Sequence, residues 1–533
     1  MATVSLLRLP KELRIEIYEH YFSLKHGYWL DNATNKFTSI DGTRIELDLR
    51  FVNRQIAAET CGLAFQYNEA HVETCWEPSM NERLGSFEYY TKELHRKRSK
   101  GLLELVQNAE TLLDPEVLAK VKEHYAQFLP DVQSFESSNY VAGDGRNWKK
   151  TPSTIRQFVK SELKYIVDAT PSVDSYFKRL ANLLPDSEPW CIPTLEDVRK
   201  MLVFMPAGVP RPPNALMLGR ALSDETEAFW SGEKQRSSAA SLAIHFLSHV
   251  SREARLEMRK VVLHEDRKSV AWPESHARGL VQFCQENKKL RIERRVDLWR
   301  NAFPAGSSPL VTDWPGGGGG LPSLWISKSL VDWIMEAVIL PSLGMPENAF
   351  KLVLTDTPCE IDNSAIFDVV IADAATQVAF VRATSLPDSI AHPSSGTRTL
   401  FDAQRWIDIR RESAFVMEGF PEAIDAILKA TSFVMCDFPM KTLDEPVDLE
   451  QISEHMKIDE PSQAWRWGEA WRERHDLDWF DPPPPLPAWS ELRNEDRVDS
   501  LSGHPSSRSG ERRRKSEHGH HGESKTRLNR ARP

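Results

Sequence analysis

The residues most able to do chemistry gather between positions 265 and 295. Glu265 and Asp266 precede His276 and the Arg278-Gly279 pair, and a basic run follows at Lys288, Lys289, Arg291, Arg294 and Arg295. An imidazole beside carboxylates suits general acid–base work, and clustered guanidinium groups suit an oxyanion. The same set equally suits a satisfied polar network between a helix and a strand, because spacing alone pairs no nucleophile with a base. The stronger signatures do not occur: the chain has no GxxxxGK[ST], HExxH, GxSxG or GxGxxG. Gly316–Gly320 follows Trp314-Pro315 without the Lys and Ser/Thr that a phosphate cradle needs, so it reads as a joint. His518, His520 and His521 lack the supporting partners of a metal site. The expectation is no catalytic residue, no metal site and no cofactor.

Positioning that cluster falls to alternating helices and short strands. Ser251–Arg259 reads as helix, Lys260–His264 as a buried strand and Glu274–Glu286 as helix. Leu290–Trp299 alternates as a half-buried strand, with Leu290, Ile292, Val296 and Leu298 on one face and Arg294 breaking it. Ser323–Ile339 and Pro421–Ala430 continue as helices, and Ala349–Thr355 and Thr431–Phe438 as strands. The strands keep no fixed period, which leaves a degenerate helix–strand stack as an open reading. The predicted fold is α+β and mainly α-helical. Its parts are a small helical module at 1–80, a helical segment at 81–235, and a helix–strand body at 239–440 with a Gly-rich joint at 315–322. A Trp- and Pro-rich acidic segment at 441–490 packs on the body, and a basic tail at 491–533 is disordered. Within 81–235 the helices fall at Leu102–Val106, Val117–Phe128 and Ser153–Val167.

The N-terminal module carries the most specific pattern. Pro10 opens a helix at the position where its missing N–H costs nothing. Leu9, Leu13, Ile17 and Tyr21 recur every four residues along it. A polar stretch, a loop or loose hairpin, leads to a second helix over LDLRFVNRQIAAETCGLAFQY, with Leu49, Val52, Ile56 and Leu63 as its stripe, and a short strand at His71–Cys75 closes the unit.

Leu9-Pro10-x-Glu12-Leu13-Arg14-x-x-Ile17-Tyr18, followed by Val52-Asn53-Arg54-Gln55-Ile56 and Glu59, resembles the F-box-like (F-box domain-containing) proteins of filamentous fungi. The likeness covers about 70 residues. It departs from the family in a longer, more polar link at Ser23–Glu46, and in lacking the usual Cys and Trp around Asn53-Arg54-Gln55. The resemblance implies a substrate-recruiting subunit of a cullin–RING ubiquitin ligase, docking on a Skp-type adaptor and holding a protein substrate through its body. On that reading Leu9, Pro10, Leu13, Ile17, Tyr18 and Val52 make the partner contact. Two other readings stay open: a scaffold that binds no ligase adaptor, and an enzyme with an unrecognised site in 239–440. For the helix itself the alternative is self-packing, with its apolar stripe buried against the Val52/Ile56 helix.

Bulk properties bound the partners. The 533 residues carry a net charge of −10 with 41% hydrophobic residues, an ordinary globular balance. Ser502–Pro533 holds nine Lys/Arg against three Glu, so the remainder is an acidic body. Nucleic acid is expected to meet at most the tail, weakly, through Arg512–Lys515. Six scattered cysteines without a CxxC pair, no run of membrane-span length and no signal-type h-region point to the cytoplasm or nucleus. Trp465, Trp467, Trp471, Trp479 and Trp489 are expected to clamp the C-terminal segment to the body.

Overall fold

A computed structural model describes residues 6–108, 113–125, 150–182, 188–204, 233–306, 320–355, 363–383, 416–438 and 479–498. The architecture is α+β and mainly helical, with 58% helix and 14% strand among the described residues. Eleven strands occur among the described residues: β1 (Tyr28–Asp31), β2 (Lys36–Thr38), β3 (Glu69–Glu73), β4 (Cys75–Trp76), β5 (Arg236–Ser237), β6 (Lys260–Glu265), β7 (Arg291–Asp297), β8 (Leu321–Pro322), β9 (Phe350–Thr355), β10 (Val434–Cys436) and β11 (Trp479–Phe480).

Seven of them form one sheet in the order β10-β9-β7-β6-β3-β1-β2. Every neighbouring pair is parallel except the β1–β2 hairpin. From β3 to β10 the strands lie side by side in chain order, each joined to the next through helices, which is the succession a helix–strand stack produces. Val261, Leu263, Ile292, Val296, Leu352 and Leu354 turn to the main core. The alternate positions carry Lys260, His264, Glu293, Arg295 and Lys351 around the buried Val262 and Val353, so the second face is mostly polar.

The N-terminal module is built into this sheet. β3 pairs with β6 over five residues, from Glu69↔Lys260 to Glu73↔His264, and β1 adds to β3. The long link between the first helices therefore has a structural use: it supplies the hairpin that extends the sheet edge. The expected second helix is divided into a 3₁₀ turn at Asp48–Phe51 and short helices at Arg54–Glu59 and Leu63–Tyr67. Asn53 caps the first of these, its side chain accepting from Gln55 N at 2.7 Å, and Gly62 at φ +78° breaks the run before Leu63. A Cβ on Gly62 would also fall 2.5 Å from Glu257 Cγ.

Helices elsewhere follow the apolar spacing. Asn81–Gln107, Pro115–Tyr125 and Pro152–Ala169 occupy the helical segment, and the last buries Ile155, Phe158, Val159, Leu163, Ile166 and Val167 on one face. The expected helix at Glu274–Glu286 begins as a 3₁₀ stretch, Pro273–Leu280, and turns α-helical at Val281–Glu286. The tail expected from residue 491 is helical at its start. A helix at Trp489–Glu495 packs back, with Trp489 5.4 Å from the Trp299 ring and its Nε1 donating to Phe480 O. Arg236 reaches Asp496 at 2.6 Å, and Arg267 and Arg300 reach Glu495. These carboxylates hold the chain to residue 497, past the expected boundary at 490. Trp465, Trp467, Trp471 and the remainder of the basic tail lie outside the described residues.

Arg294 and Glu265 are the buried exception in the core face, at 1% and 0% exposure. Arg294 Nε and Nη2 donate to Glu265 Oε1 at 2.9 and 2.6 Å, and its other donors reach the carbonyls of Pro273 and Glu274. Glu265 also accepts from the backbone N–H groups of Ala239 and Ala240, at the start of the Ala239–His249 helix. Removing one partner leaves the other charge buried, so Arg294→Met is expected to destabilise the protein by about 3–5 kcal/mol. Urea unfolding checks this, and a loss below about 1 kcal/mol would show that the backbone donors alone satisfy Glu265.

Candidate functional site

The first helix, Lys11–Phe22, has two faces of different character. Arg14, Tyr18 and Phe22 point inward, four residues apart, onto Ile56 and Ala64. Arg14 forms a fork on Glu59 (Nε–Oε2 2.9 Å, Nη2–Oε1 2.5 Å) and donates from Nη1 to Leu9 O. Tyr18 OH donates to Glu59 at 2.9 Å. These donors hold the Glu59 carboxyl well below the usual carboxylate range, at about 2, with the Arg14 hydrogen bond the largest cause. Asn68 closes the unit, donating to Phe22 O and Ala64 O and accepting from Leu24 N.

The outward face is apolar and open. Leu13 is 45% exposed and Ile17 40%, and Tyr21 continues their stripe one turn on. Phe51 and Val52 on the following turn are 81% and 69% exposed. Of the residues expected at a partner surface, Leu13, Ile17 and Val52 are exposed, Pro10 is exposed at the helix start, and Leu9 is half-buried. Tyr18 is a correction. It is fully buried and bonded to Glu59, because it sits about 100° round the helix from Ile17. Self-packing on the Val52/Ile56 region holds only in part: Tyr18 packs there, while Leu13 and Ile17 stay exposed. Ile56 packs with Tyr18 and Phe22, and Val52 faces away. Phe51, outside the predicted stripe, is the most exposed large apolar side chain among the described residues.

His276 proves structural. Its Nε2 donates to Ala271 O at 2.7 Å, so Nδ1 is the acceptor facing Ser238 Oγ (2.7 Å) and Ser241 Oγ (2.9 Å); Ser238 Oγ donates to Ser241 Oγ, which leaves the Ser241 hydroxyl proton for Nδ1. A hydroxyl beside an imidazole is the geometry of an activated nucleophile, but all three residues are at most 3% exposed and no substrate reaches them. Burial pushes His276 down to about 3, which keeps it neutral. The anticipated polar network is therefore present, built on Glu265, His276 and Arg294.

Two strained residues sit beside it. Ala271 and Trp272 both adopt left-handed φ values, +61° and +58°. Such a conformation costs a side-chain-bearing residue about 1–3 kcal/mol and persists where its surroundings over-determine it. Here Glu88 accepts from Ala271 N, His276 holds Ala271 O, and Ser275 donates from N and Oγ to Trp272 O. The result sets the Trp272 indole into a cleft between the helical segment and the body, with a volume of about 440 Å³. Among the described residues no group of three His, Cys, Asp or Glu is placed to hold a metal, and no helix is long and apolar enough to cross a membrane. No family model, no curated protein and no solved structure matches the chain.

A histidine pair joins the N-terminal strands to the body. His71 Nδ1 on β3 and His264 Nε2 on β6 are 3.0 Å apart, and Trp29 on β1 stacks on both rings at 4.6 and 5.3 Å. Glu69, Lys260, Glu293, Asp266 and Arg295 surround them. Desolvation lowers both imidazoles, His264 from 6.5 to about 4. The folded state thus binds fewer protons than the unfolded chain between these values. Stability from the neutral pair is complete above pH 6.5 and is lost as pH falls toward 4. Unfolding free energies from urea titrations across this range are expected to fall by up to about 2 kcal/mol for His264, discounting its partial exposure. The fall should be smaller in the His71→Asn, His264→Asn double variant. An equal fall in both proteins would place the pH dependence elsewhere.

Proposed function

We propose that this chain is a protein-interaction subunit of the F-box type, docking on a Skp-type adaptor through its first helix and presenting a protein substrate on its body. One observation carries the reading. The inward face of the Lys11–Phe22 helix is fully occupied by Arg14, Tyr18 and Phe22, so Leu13 and Ile17 are not needed to hold the helix in place. Apolar residues at i and i+4, left open beside Phe51 and Val52, are what a helix-in-groove contact uses. The LPKELRIEIY motif that carries the family resemblance supplies those same residues. Substrate holding falls to the body, where the parallel strands offer a polar face with Lys260, Glu293, Arg295 and Lys351 across neighbouring strands.

The test is direct binding of the full chain to a purified fungal Skp-type adaptor. Leu13→Glu with Ile17→Glu is expected to weaken capture by at least about 100-fold, since two anchor residues in a desolvated contact each contribute about 2 kcal/mol or more. Thermal stability should stay near wild type, because both side chains already face solvent. Absence of binding by the wild-type chain, or capture that survives both substitutions, would defeat the docking reading.

A further inference from the structure

The cleft beside Trp272 has an uneven chemistry. Its floor and walls bring Arg98, Arg156, Lys160 and Arg278 together against a single lining carboxylate, Glu188. Lys160 and Glu188 are 3.7 Å apart at the half-exposed rim. Arg156 lies deeper, 11% exposed, with its guanidinium 4.3 Å from the centre of the Trp272 ring. The nearest carboxylate to Arg156 is Glu274, at 4.0 Å from Nη2, beyond hydrogen-bond range. Glu336, another carboxylate near Arg156, is turned to the N–H and hydroxyl of Ser153.

Two donors in this cleft are buried without a hydrogen-bond partner among the described residues: Arg156 Nη2 and Trp272 Nε1. Trp272 is 7% exposed, so its N–H is well withdrawn from bulk solvent. Buried polar groups are nearly always paired, and each exception requires a reason. An acceptor-rich group with negative charge would answer both donors at once. His95, whose ring meets Trp272 edge-on at 5.9 Å, adds no competing charge, because burial pushes it down to about 3. The lining also carries the apolar and aromatic Leu94, Met201, Val281, Leu343 and Trp190, beside the neutral polar Thr91, Ser153, Gln157 and Ser275. Trp190 is held against bare backbone: a Cβ on Gly279 would come within 2.6 Å of its ring. The volume falls in the range of small-molecule sites.

We infer that this cleft is a binding site for a small organic oxyanion, a carboxylate or phosphate monoester joined to an apolar, ring-sized group. The oxyanion accepts from Arg156 Nη2 and Trp272 Nε1, and the ring lies among Leu94, Met201 and Trp190. The left-handed backbone at Ala271-Trp272 places the indole in the wall of the cleft. The site lies apart from the N-terminal stripe and does not depend on adaptor docking.

Isothermal titration of the full chain with phenyl phosphate, benzoate and inorganic phosphate tests this. Phenyl phosphate or benzoate is expected to bind saturably with one site per chain, and inorganic phosphate more weakly, since it leaves the apolar part unfilled. The two organic probes distinguish the oxyanion type. Trp272→Phe keeps the ring but removes the N–H, and should weaken binding by roughly tenfold or more. Arg156→Met should do the same or abolish it. Should Arg156→Met fail to fold, Trp272→Phe and the half-exposed Arg278→Gln decide the matter. No saturable binding of any probe at millimolar concentration would overturn the assignment. So would binding that Trp272→Phe and Arg278→Gln leave unchanged.

Discussion

A carboxylate at the end of a central strand governs this fold. Glu265 sits where β6 leaves the sheet, and no water reaches it. A charge in that position must be fully satisfied or the core cannot close over it. Its partners come from three directions: the N-terminus of the Ala239–His249 helix, the Arg294 guanidinium on β7, and, through the carbonyl of Glu265 itself, Asn301. Arg294 then reaches Pro273 and Glu274, and its guanidinium lies 4.7 Å from the Trp333 ring. One ion pair therefore positions two strands, the helix covering them and the turn that follows β6. That turn contains Ala271 and Trp272, so the cleft inherits its geometry from the same network.

The N-terminal unit serves two surfaces at once. Its strands are committed to the body, through β3 on β6 and the Trp29–His71–His264 stack. Its first helix is committed only on one side, through Arg14, Tyr18 and Phe22. Separating the two roles by helix face lets the unit be rigidly joined to the sheet while a row of apolar side chains stays open. A free-standing three-helix module would have no such anchor. The hairpin drawn from the long polar link is what fastens this one.

Much of the body was legible from its residue pattern. The strand at Lys260–His264 and the alternation through Leu290–Trp299 appear where expected, within a residue or two, because burial period and β-branched composition act locally. Arg294 was visible as a break in that alternation, within a cluster that suited a satisfied polar network. Its choice of Glu265 over Asp266 was not visible. Only the parallel β6–β7 register sets the two chains so that one carboxylate meets the guanidinium. The single long helix expected after Asp48 failed for a local reason that the residues contained: Asn53 and Gly62 favour a cap and a left-handed break over continuation.

By itself the sequence determined the class of fold, the helix–strand alternation and the apolar stripe of the first helix, all of which follow from contacts between residues a few positions apart. Tertiary structure alone decided which side of that helix is buried, since Tyr18 and Ile17 are equally plausible anchors until Glu59 and Ile56 are brought against one of them. It also decided that residues 28–73 and 260–436 share one sheet, a matter of strand pairing across more than 180 positions. The cleft is the extreme case. Arg98, Arg156, Trp190 and Trp272 come from four separate stretches of chain, and no spacing rule connects them. Their convergence follows from the packing of the helical segment on the body and from a backbone conformation that Trp272 adopts only under the constraint of its neighbours.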